Sequence, residues 1–187
     1  GGLTLITSKK HESGSDRIFE ALEKFDPYQK YQNVIHLQGD LPNISGNLIK
    51  KLATLINEPT REILTVVVKA NPDEYNDNSI VKAAIAFSKN NPDINDIGRA
   101  MYFSRACIPF GDTNIWHHVG IYAWKRKTLK QFVSLKPSPL EKSEKLEQLR
   151  ALEAGIVIDA IITSDHPIGV DTELDLKKAS KFFQDIS

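Results

Sequence analysis

Several features that would mark particular protein classes are scarce in this sequence. Cys107 is the single cysteine among 187 residues, which excludes an internal disulfide and a cysteine-rich zinc site. The 24 basic residues are balanced by 24 acidic ones, so no global field draws a nucleic acid or an anionic membrane. No apolar run approaches the ~20 residues of a membrane span. We therefore expect a cytoplasmic protein without nucleic-acid or membrane partners.

Two local patterns lead to further expectations. Cys107 lies in the mixed stretch Ala106–Pro109, where a buried structural thiol is expected rather than a nucleophile. Gly1 and Gly2 run directly into the strand-like stretch Leu3–Thr7, with neither an initiating methionine nor a signal peptide. This start predicts a chain that begins in mid-domain.

Apolar periodicity along the chain predicts strands that alternate with helices. Strands are predicted at residues 3–7, 34–37, 63–68, 79–87, 101–105, 117–124 and 156–163. Helices are predicted from residue 15, at 45–57, at 128–135, at 139–155 and after residue 172. The alternation predicts one α/β domain over residues 1–187 with a largely parallel sheet. The strand-rich segment 99–124 is expected to form a separate antiparallel flap.

An acidic turn follows the short strand pattern at Val34–Leu37. Gln38–Gly39–Asp40 precedes Pro42 and a second amphipathic stretch, the layout in which α/β sheets place ligands at the carboxyl ends of strands. Asp40 has two interpretations: a good turn and cap residue, or a ligand for a hard cation such as Mg²⁺, which favours carboxylate oxygens. The local pattern slightly favours the turn residue, and both interpretations stay open here.

Residues 13–17 and Arg105 also have two interpretations each. Ser-Gly-Ser-Asp-Arg at 13–17 opens a helix with Ser15 as the predicted N-cap, and backbone N–H groups at such a start form a natural anion or nucleotide-edge site. The alternative is a plain capped loop. Arg105 could clamp a carboxylate or a phosphate, although a surface arginine is the commoner case.

The strand pattern at His117–Trp124 places several polar side chains together. On an ideal strand His118 and Tyr122 share a face with Gly120, which would leave room for a ligand between them. The adjacent histidines His117 and His118 have no Cys, Asp or Glu close in sequence, which argues poorly for zinc.

The clearest helix signal is Ser138–Pro139–Leu140–Glu141, a capping box with proline at the first helical position. We expect one helix that Gly155 ends. Glu144, Glu147 and Gln148 fall roughly opposite its apolar stripe, where a solvated face is expected. Further along, Asp171 or Thr172 could cap the last helix.

Six segments in this order resemble the 3-deoxy-manno-octulosonate (KDO) cytidylyltransferases, the CMP-KDO synthetases of Gram-negative bacteria. The resemblance covers the chain from Gly1 to at least Leu176 and is most specific in the fifth segment and the start of the sixth. The segments are H-E-S-G-S-D-R, L-Q-G-D-L-P, Y-F-S-R-A-C-I-P, H-V-G-I-Y, S-P-L-E-K-S-E-K-L-E-Q-L-R and G-V-D-T-E-L-D-L.

The family resemblance implies an α/β, Rossmann-like nucleotide-diphospho-sugar transferase fold, and a homodimer that uses a small β-rich flap at about 99–124. It implies that CMP passes from CTP to KDO, giving CMP-KDO and pyrophosphate for lipopolysaccharide biosynthesis. The implied residue roles are Mg²⁺ binding by Asp40 and Asp171, catalysis by these two with Gln38, nucleotide binding by Ser13, Gly14 and Arg17, and sugar-acid binding by Gln38, Arg105, His118, Tyr122, Glu147 and Gln148.

Three departures from the family pattern bear on these expectations. The family's opening strand and its phosphate-binding loop are absent from the 187 residues, so we expect at most trace synthetase activity from this chain alone. Leu41 replaces an acidic residue, and no basic residue follows the Ile-Pro turn at residues 110–113. Two alternatives stay open: a cytidylyltransferase for a related acid such as sialic acid, and a non-catalytic nucleotide- or sugar-binding chain.

Overall fold

A mixed six-stranded sheet organises the fold. The computed structural model describes residues 2–11, 13–111, 114–166, 168–170 and 172–185. The strands are β1 (Asn33–His36), β2 (Ile63–Lys69), β3 (Lys82–Ala86), β4 (Ile97–Ser104), β5 (Trp116–Lys125) and β6 (Ile158–Ile162). Their order is β1-β5-β2-β6-β4-β3, with a further pairing between β5 and β3.

The prediction of a largely parallel sheet is wrong. β5 lies between β1 and β2 and runs antiparallel to both, and β4 runs antiparallel to β6 and β3. Of the described strand pairs, only β2 and β6 are parallel. Both strands of the expected flap at 99–124 thus belong to the main sheet, because β5 finds its partners at the sheet centre. The role of this segment in a dimer stays a prediction.

The helices cover both faces of the sheet. They are α1 (Gly14–Phe25), α2 (Gly46–Leu55), α3 (Arg126–Ser134), α4 (Pro139–Glu144), α5 (Leu149–Glu153) and α6 (Glu173–Asp185), with a 3₁₀ turn at Pro72–Glu74. β2 is buried on both faces, as its run of β-branched residues predicts: Val67 packs in the core beneath α1 and α3, while Val66 packs in the core beneath α2.

Side-chain caps fix where these helices begin. The Ser13 hydroxyl accepts from Asp16 N, so Ser13 and not the predicted Ser15 is the N-cap of α1. Ser15 is instead buried. Ser138 and Glu141 form the predicted capping box of α4, which confirms that part of the sequence analysis.

The single helix predicted over residues 139–155 is divided in two. α4 ends at Glu144, and Lys145 adopts the left-handed conformation, with φ of 56°. α5 begins only at Leu149. The break lets Leu146 and Leu149 both reach the core, a gain in apolar burial that offsets the cost of a non-glycine residue at positive φ.

Two other expectations are also wrong. Leu3–Thr7 forms no strand, and the Leu3 and Ile6 side chains are exposed, because no described strand pairs with this stretch. Cys107 is exposed, since it follows the end of β4 in a surface turn.

None of the helices in the described part of the chain is both long and apolar enough to span a membrane.

Candidate active site

A cleft of about 1390 Å³ opens between α1, the turn after β1, one face of β5 and the segment between α4 and α5. The structure brings most of the predicted site residues to its walls: Gly14, Arg17, Gln38, Asp40, Arg105, His118, Tyr122, Glu147 and Gln148. Ser13 lies beside the cleft as the α1 cap, and Asp171 lies outside the described residues. The roles of these residues stay predictions, while their convergence is a structural fact.

Gln38 occupies the space that Gly120 leaves on β5. A Cβ added to Gly120 would lie 2.9 Å from Gln38 Nε2 and 3.4 Å from its Cδ, so only glycine gives this side chain room. β5 also bulges here, because Thr65 pairs with Tyr122 while the next residue, Val66, pairs with Val119. The Gln38 amide therefore lies over Gly120, while His118, Gly120 and Tyr122 still line the cleft.

Asp40 ends the turn that begins after β1. Its carbonyl accepts a 3.0 Å hydrogen bond from the Val170 N–H, which ties this turn to the residue that directly precedes Asp171 in sequence. Among the described residues, no donor is hydrogen-bonded to the Asp40 carboxylate. A carboxylate facing a polar cleft without a protein donor is suited to a hard cation.

His118 is held in one orientation by Thr65. Its Nε2 lies 3.0 Å from Thr65 Oγ1, and the Thr65 hydroxyl donates to the Ile121 carbonyl at 2.8 Å. The Thr65 oxygen is therefore the acceptor toward His118, whose Nε2 carries the proton. Burial lowers the pKa of His118 to about 3, so the ring is neutral and its Nδ1 is a hydrogen-bond acceptor.

Tyr122 and Glu147 form an adjoining wall. Burial raises the pKa of Tyr122, with a smaller contribution from the charge of Glu147, so the phenol keeps its proton and can donate. Burial also raises the pKa of Glu147, and the Ser13 and Ser15 hydroxyls partly oppose this. Among the described residues, Glu147 Oε1 is buried without a hydrogen-bond partner, as expected of an atom that binds a ligand.

The predicted solvated face of the 139–155 helix does not exist. Gln148 is only 8% exposed and Glu147 is half-buried, because the chain turns inward at Lys145. Glu144 accepts from the Ser104 hydroxyl at 2.8 Å and from the Arg105 N–H at 3.1 Å. All three polar side chains thus face protein or cleft rather than bulk water.

Arg105 is a half-buried wall residue rather than a free surface arginine. Its Nε donates to the Glu144 carbonyl at 3.2 Å and its guanidinium to the Asn78 carbonyl at 3.0 Å. Lys82, which is fully buried, fixes the same region: its ammonium donates to the carbonyls of Asp77, Ile80 and Arg105 at 2.6, 3.0 and 2.9 Å.

The start of α1 supplies the edge of the cleft opposite β5. Gly14 lies against the His36 ring, since an added Cβ would be 3.1 Å from His36 Cε1. Arg17 reaches away from the helix start and donates to Thr7 Oγ1 at 2.7 Å. Arg17 therefore holds the preceding segment while lining the cleft.

Sequence reasoning gave no role to several cleft-lining residues with chemical capacity, among them His36, Glu74, Asp77 and His117. His36 is 8% exposed, and its Nδ1 has no hydrogen-bond partner among the residues that the structure describes. The signal that could have found it was its place on β1, two residues before Gln38. Glu74 and His117 meet only through the fold, because 43 positions separate them.

Comparison with known proteins gives consistent matches. The sequence model of a family described as Cytidylyltransferase matches residues 1–161. The chain is 42% identical over its whole length to the 3-deoxy-manno-octulosonate cytidylyltransferase of Nitrobacter hamburgensis, covering 70% of that protein. It is 45% identical over 95% of its length to the enzyme of the same name from Agrobacterium fabrum, covering 69% of it. The chain therefore spans about 70% of the length of these relatives.

A solved structure agrees with the sequence matches. The structure of CMP:2-keto-3-deoxy-manno-octonic acid synthetase complexed with CTP superimposes with a TM-score of 0.86 at 30% identity. The match covers all of this chain and 74% of that one. It confirms the predicted fold class.

Proposed function

The chain belongs to the 3-deoxy-manno-octulosonate cytidylyltransferase family, and from that premise we propose that its cleft transfers CMP from CTP to KDO, with release of pyrophosphate. The observation that carries the proposal is the convergence of Gln38, Asp40, His118 and Glu147 on one cleft. The relatives reported above are named as 3-deoxy-manno-octulosonate cytidylyltransferases. They therefore support neither the sialic acid alternative nor a purely binding role.

The polar wall formed by His118, Tyr122, Glu147 and Gln148 fits a polyhydroxylated acid. Neutral His118 offers an acceptor, and protonated Tyr122 offers a donor. Glu147 offers an unpaired carboxylate oxygen. A site with such buried groups rejects analogues that lack the matching hydroxyls, because each missing hydroxyl leaves a protein group unpaired.

Gln38 and Arg105 would orient the reacting ends of the substrates. The Gln38 amide, held over Gly120, can bind the sugar acid beside Asp40. Arg105 carries the cationic group suited to the sugar carboxylate. Little covalent chemistry is asked of the protein in nucleotidyl transfer, so this positioning and the exclusion of water should supply most of the rate enhancement.

Asp40 and Asp171 would hold a magnesium ion. The fit rests on the Asp40 carboxylate, which no described donor satisfies, and on the bond that ties Val170 to Asp40. When bound, the ion would neutralise phosphate charge and ease deprotonation of the sugar hydroxyl. The protein's own contribution is the hydrogen bond that holds Val170, the residue before Asp171, against the Asp40 turn.

Ser13, Gly14 and Arg17 would bind the nucleotide at the start of α1. The backbone N–H groups of the first helical turn and the positive end of the helix dipole favour an electron-rich partner. Ser13 Oγ is occupied as the cap of Asp16 N, so in this proposal its contribution to CTP is the shape of the helix start.

A homodimer and a cytoplasmic location complete the proposal. Met101 is 60% exposed and Phe110 is fully exposed, and both lie in the 99–124 segment that the family resemblance assigns to dimerisation. Exposed large apolar side chains on one segment support a protein contact there.

The test is a direct assay of the complete gene product. With CTP, Mg²⁺ and KDO it should release pyrophosphate and form CMP-KDO, and with sialic acid in place of KDO it should not. Equal turnover of the two acids would contradict the substrate assignment. A product that binds CTP but forms no sugar nucleotide with either acid would favour the binding-protein alternative.

A further inference from the structure

Glu74, His117 and His166 form a cluster at the rim of the cleft. One potential ligand atom from each residue lies within 4.8 Å of the other two. Glu74 Oε1 and His117 Nδ1 are 3.0 Å apart, and the rings of His117 and His166 meet edge to face at 6.1 Å between centroids. The three residues come from the 3₁₀ turn, β5 and the segment after β6.

The second polar atom of two of these side chains is already bound to backbone. Glu74 Oε2 accepts from the Asn71 N–H at 2.7 Å, which leaves Oε1 directed at His117. His166 Nε2 lies 3.1 Å from the Lys69 carbonyl and donates to it, which leaves Nδ1 as the ring nitrogen without a partner in the described part of the chain. An imidazole that donates one N–H to a backbone carbonyl is the usual arrangement of a metal-ligating histidine.

The spacing of the ligand atoms suits a small transition-metal ion. Two ligand atoms at about 2.1 Å from a tetrahedral ion are separated by roughly 3.4 Å, close to the 3.0 Å between Glu74 Oε1 and His117 Nδ1. Small rotations about the His166 side chain bring the third atom to that distance.

We propose that Glu74, His117 and His166 bind a divalent transition-metal ion of the zinc class. Two imidazoles and one carboxylate are a nitrogen-rich set that prefers Zn²⁺ to Mg²⁺, which takes oxygen ligands. The site is separate from the magnesium site assigned to Asp40. Glu74 and His117 line the cleft, so an ion held by these residues would lie at the cleft wall.

Occupancy of this site would join three parts of the fold. His166 follows β6 in the segment that also carries Val170, and Val170 is bonded to Asp40. An ion on His117 and His166 would therefore fix the segment after β6 against β5. The expected consequence is greater resistance of that segment to unfolding when the ion is bound.

The experiment titrates Zn²⁺ into the metal-stripped complete gene product by calorimetry, with millimolar Mg²⁺ present to saturate hard-oxygen sites. One equivalent should bind, and His166→Ala and Glu74→Gln should each weaken binding at least tenfold. The matched control is His11→Ala, because His11 pairs with Glu20 without a third ligand among the described residues. Circular dichroism checks that each variant is folded.

Cobalt provides a second measurement that needs no variant. Co²⁺ bound to the unmutated protein should give the intense visible absorption of a four-coordinate site with nitrogen ligands, and Zn²⁺ should abolish it. Absence of binding, a weak octahedral cobalt spectrum, or equal losses in His166→Ala and His11→Ala would each overturn the proposal.

Discussion

Thr65 and His118 share a hydrogen bond of 3.0 Å in the buried centre of the sheet. Because Thr65 donates its own proton to the Ile121 carbonyl, the bond selects the His118 tautomer with the proton on Nε2. Nδ1 is then left as an acceptor, and we expect it to bind a substrate hydroxyl. The strand pairing of β2 with β5 therefore determines which hydrogen-bonding group the cleft presents.

Replacing Thr65 with valine tests this relationship. Thr65→Val keeps the shape but leaves a buried N–H of His118 unpaired, a cost of about 1–3 kcal/mol. We expect kcat/KM for KDO to fall about tenfold with little change in the KM for CTP. Thr65→Ser, which keeps the hydroxyl, should retain most activity. Equal losses in the serine and valine variants would contradict the tautomer assignment.

Gly120 and Gly98 should respond differently to alanine. Gly120→Ala meets only the end of the Gln38 side chain, so stability should change little while turnover falls as far as in Gln38→Ala. Gly98→Ala would meet Ile85 Cγ2 at 2.6 Å and the Ala86 carbonyl at 2.8 Å. It should lower the free energy of unfolding by about 1–3 kcal/mol.

Thermal melts and steady-state kinetics on both glycine variants provide the check. The prediction fails if Gly120→Ala loses stability as Gly98→Ala does, or if it keeps normal turnover.

The buried charge of Glu147 should lower the free energy of unfolding, although we expect this residue to bind the sugar acid. Burial raises its pKa above the ordinary value, so the unfolded chain binds fewer protons just above that value and the charged form destabilises the fold at neutral pH. Glu147→Gln should therefore raise the free energy of unfolding at pH 7, by about 1 kcal/mol or less. The gain should disappear as the pH falls below about 4.5, where the carboxyl is protonated in both states.

Glu147→Gln should also raise the KM for KDO, with little change in the KM for CTP. Glu144→Gln is the matched control, because Glu144 accepts from Ser104 and Arg105 and its loss should lower stability. Denaturant unfolding at several pH values measures both effects. A Glu147→Gln protein less stable than the parent at pH 7 would refute the argument.

Asp40→Asn should show whether Asp40 is a metal ligand or only a turn residue. We expect turnover to fall about a hundredfold or more, since the charge that holds the cation is lost, with an unchanged melting temperature. Asp171→Asn should behave in the same way. Asp73→Asn, at an exposed position in the 3₁₀ turn, is the control. Near-normal activity of Asp40→Asn at low Mg²⁺ would identify Asp40 as a turn residue only.

Local sequence patterns predicted helices, strands and caps correctly where the structure depends on residues close in sequence. The β-branched run of β2, the capping box at Ser138 and the shared face of His118 and Tyr122 each depend on neighbours in sequence. The family resemblance then supplied the site residues, which local pattern had left open. Most of these residues do line one cleft.

The predictions failed where contacts between residues distant in sequence determine the structure. Lys145 breaks a helix whose local signals are all favourable, because Leu146 and Leu149 gain burial by the turn. The direction of β5 depends on its partners at the sheet centre, which no local pattern shows. Glu74, His117 and His166 carry no common sequence signature, since three separate elements bring them together.

The buried ammonium of Lys82 has a consequence for how the residues that line the cleft can change in evolution. The ammonium donates to the backbone carbonyl oxygens of residues 77, 80 and 105, which form one wall of the cleft. Every amino acid has such a carbonyl oxygen. These three bonds are therefore independent of the side chains at residues 77, 80 and 105. A substitution at Ile80, which lines the cleft, can therefore change what the cleft recognises without removing any hydrogen bond of the Lys82 ammonium.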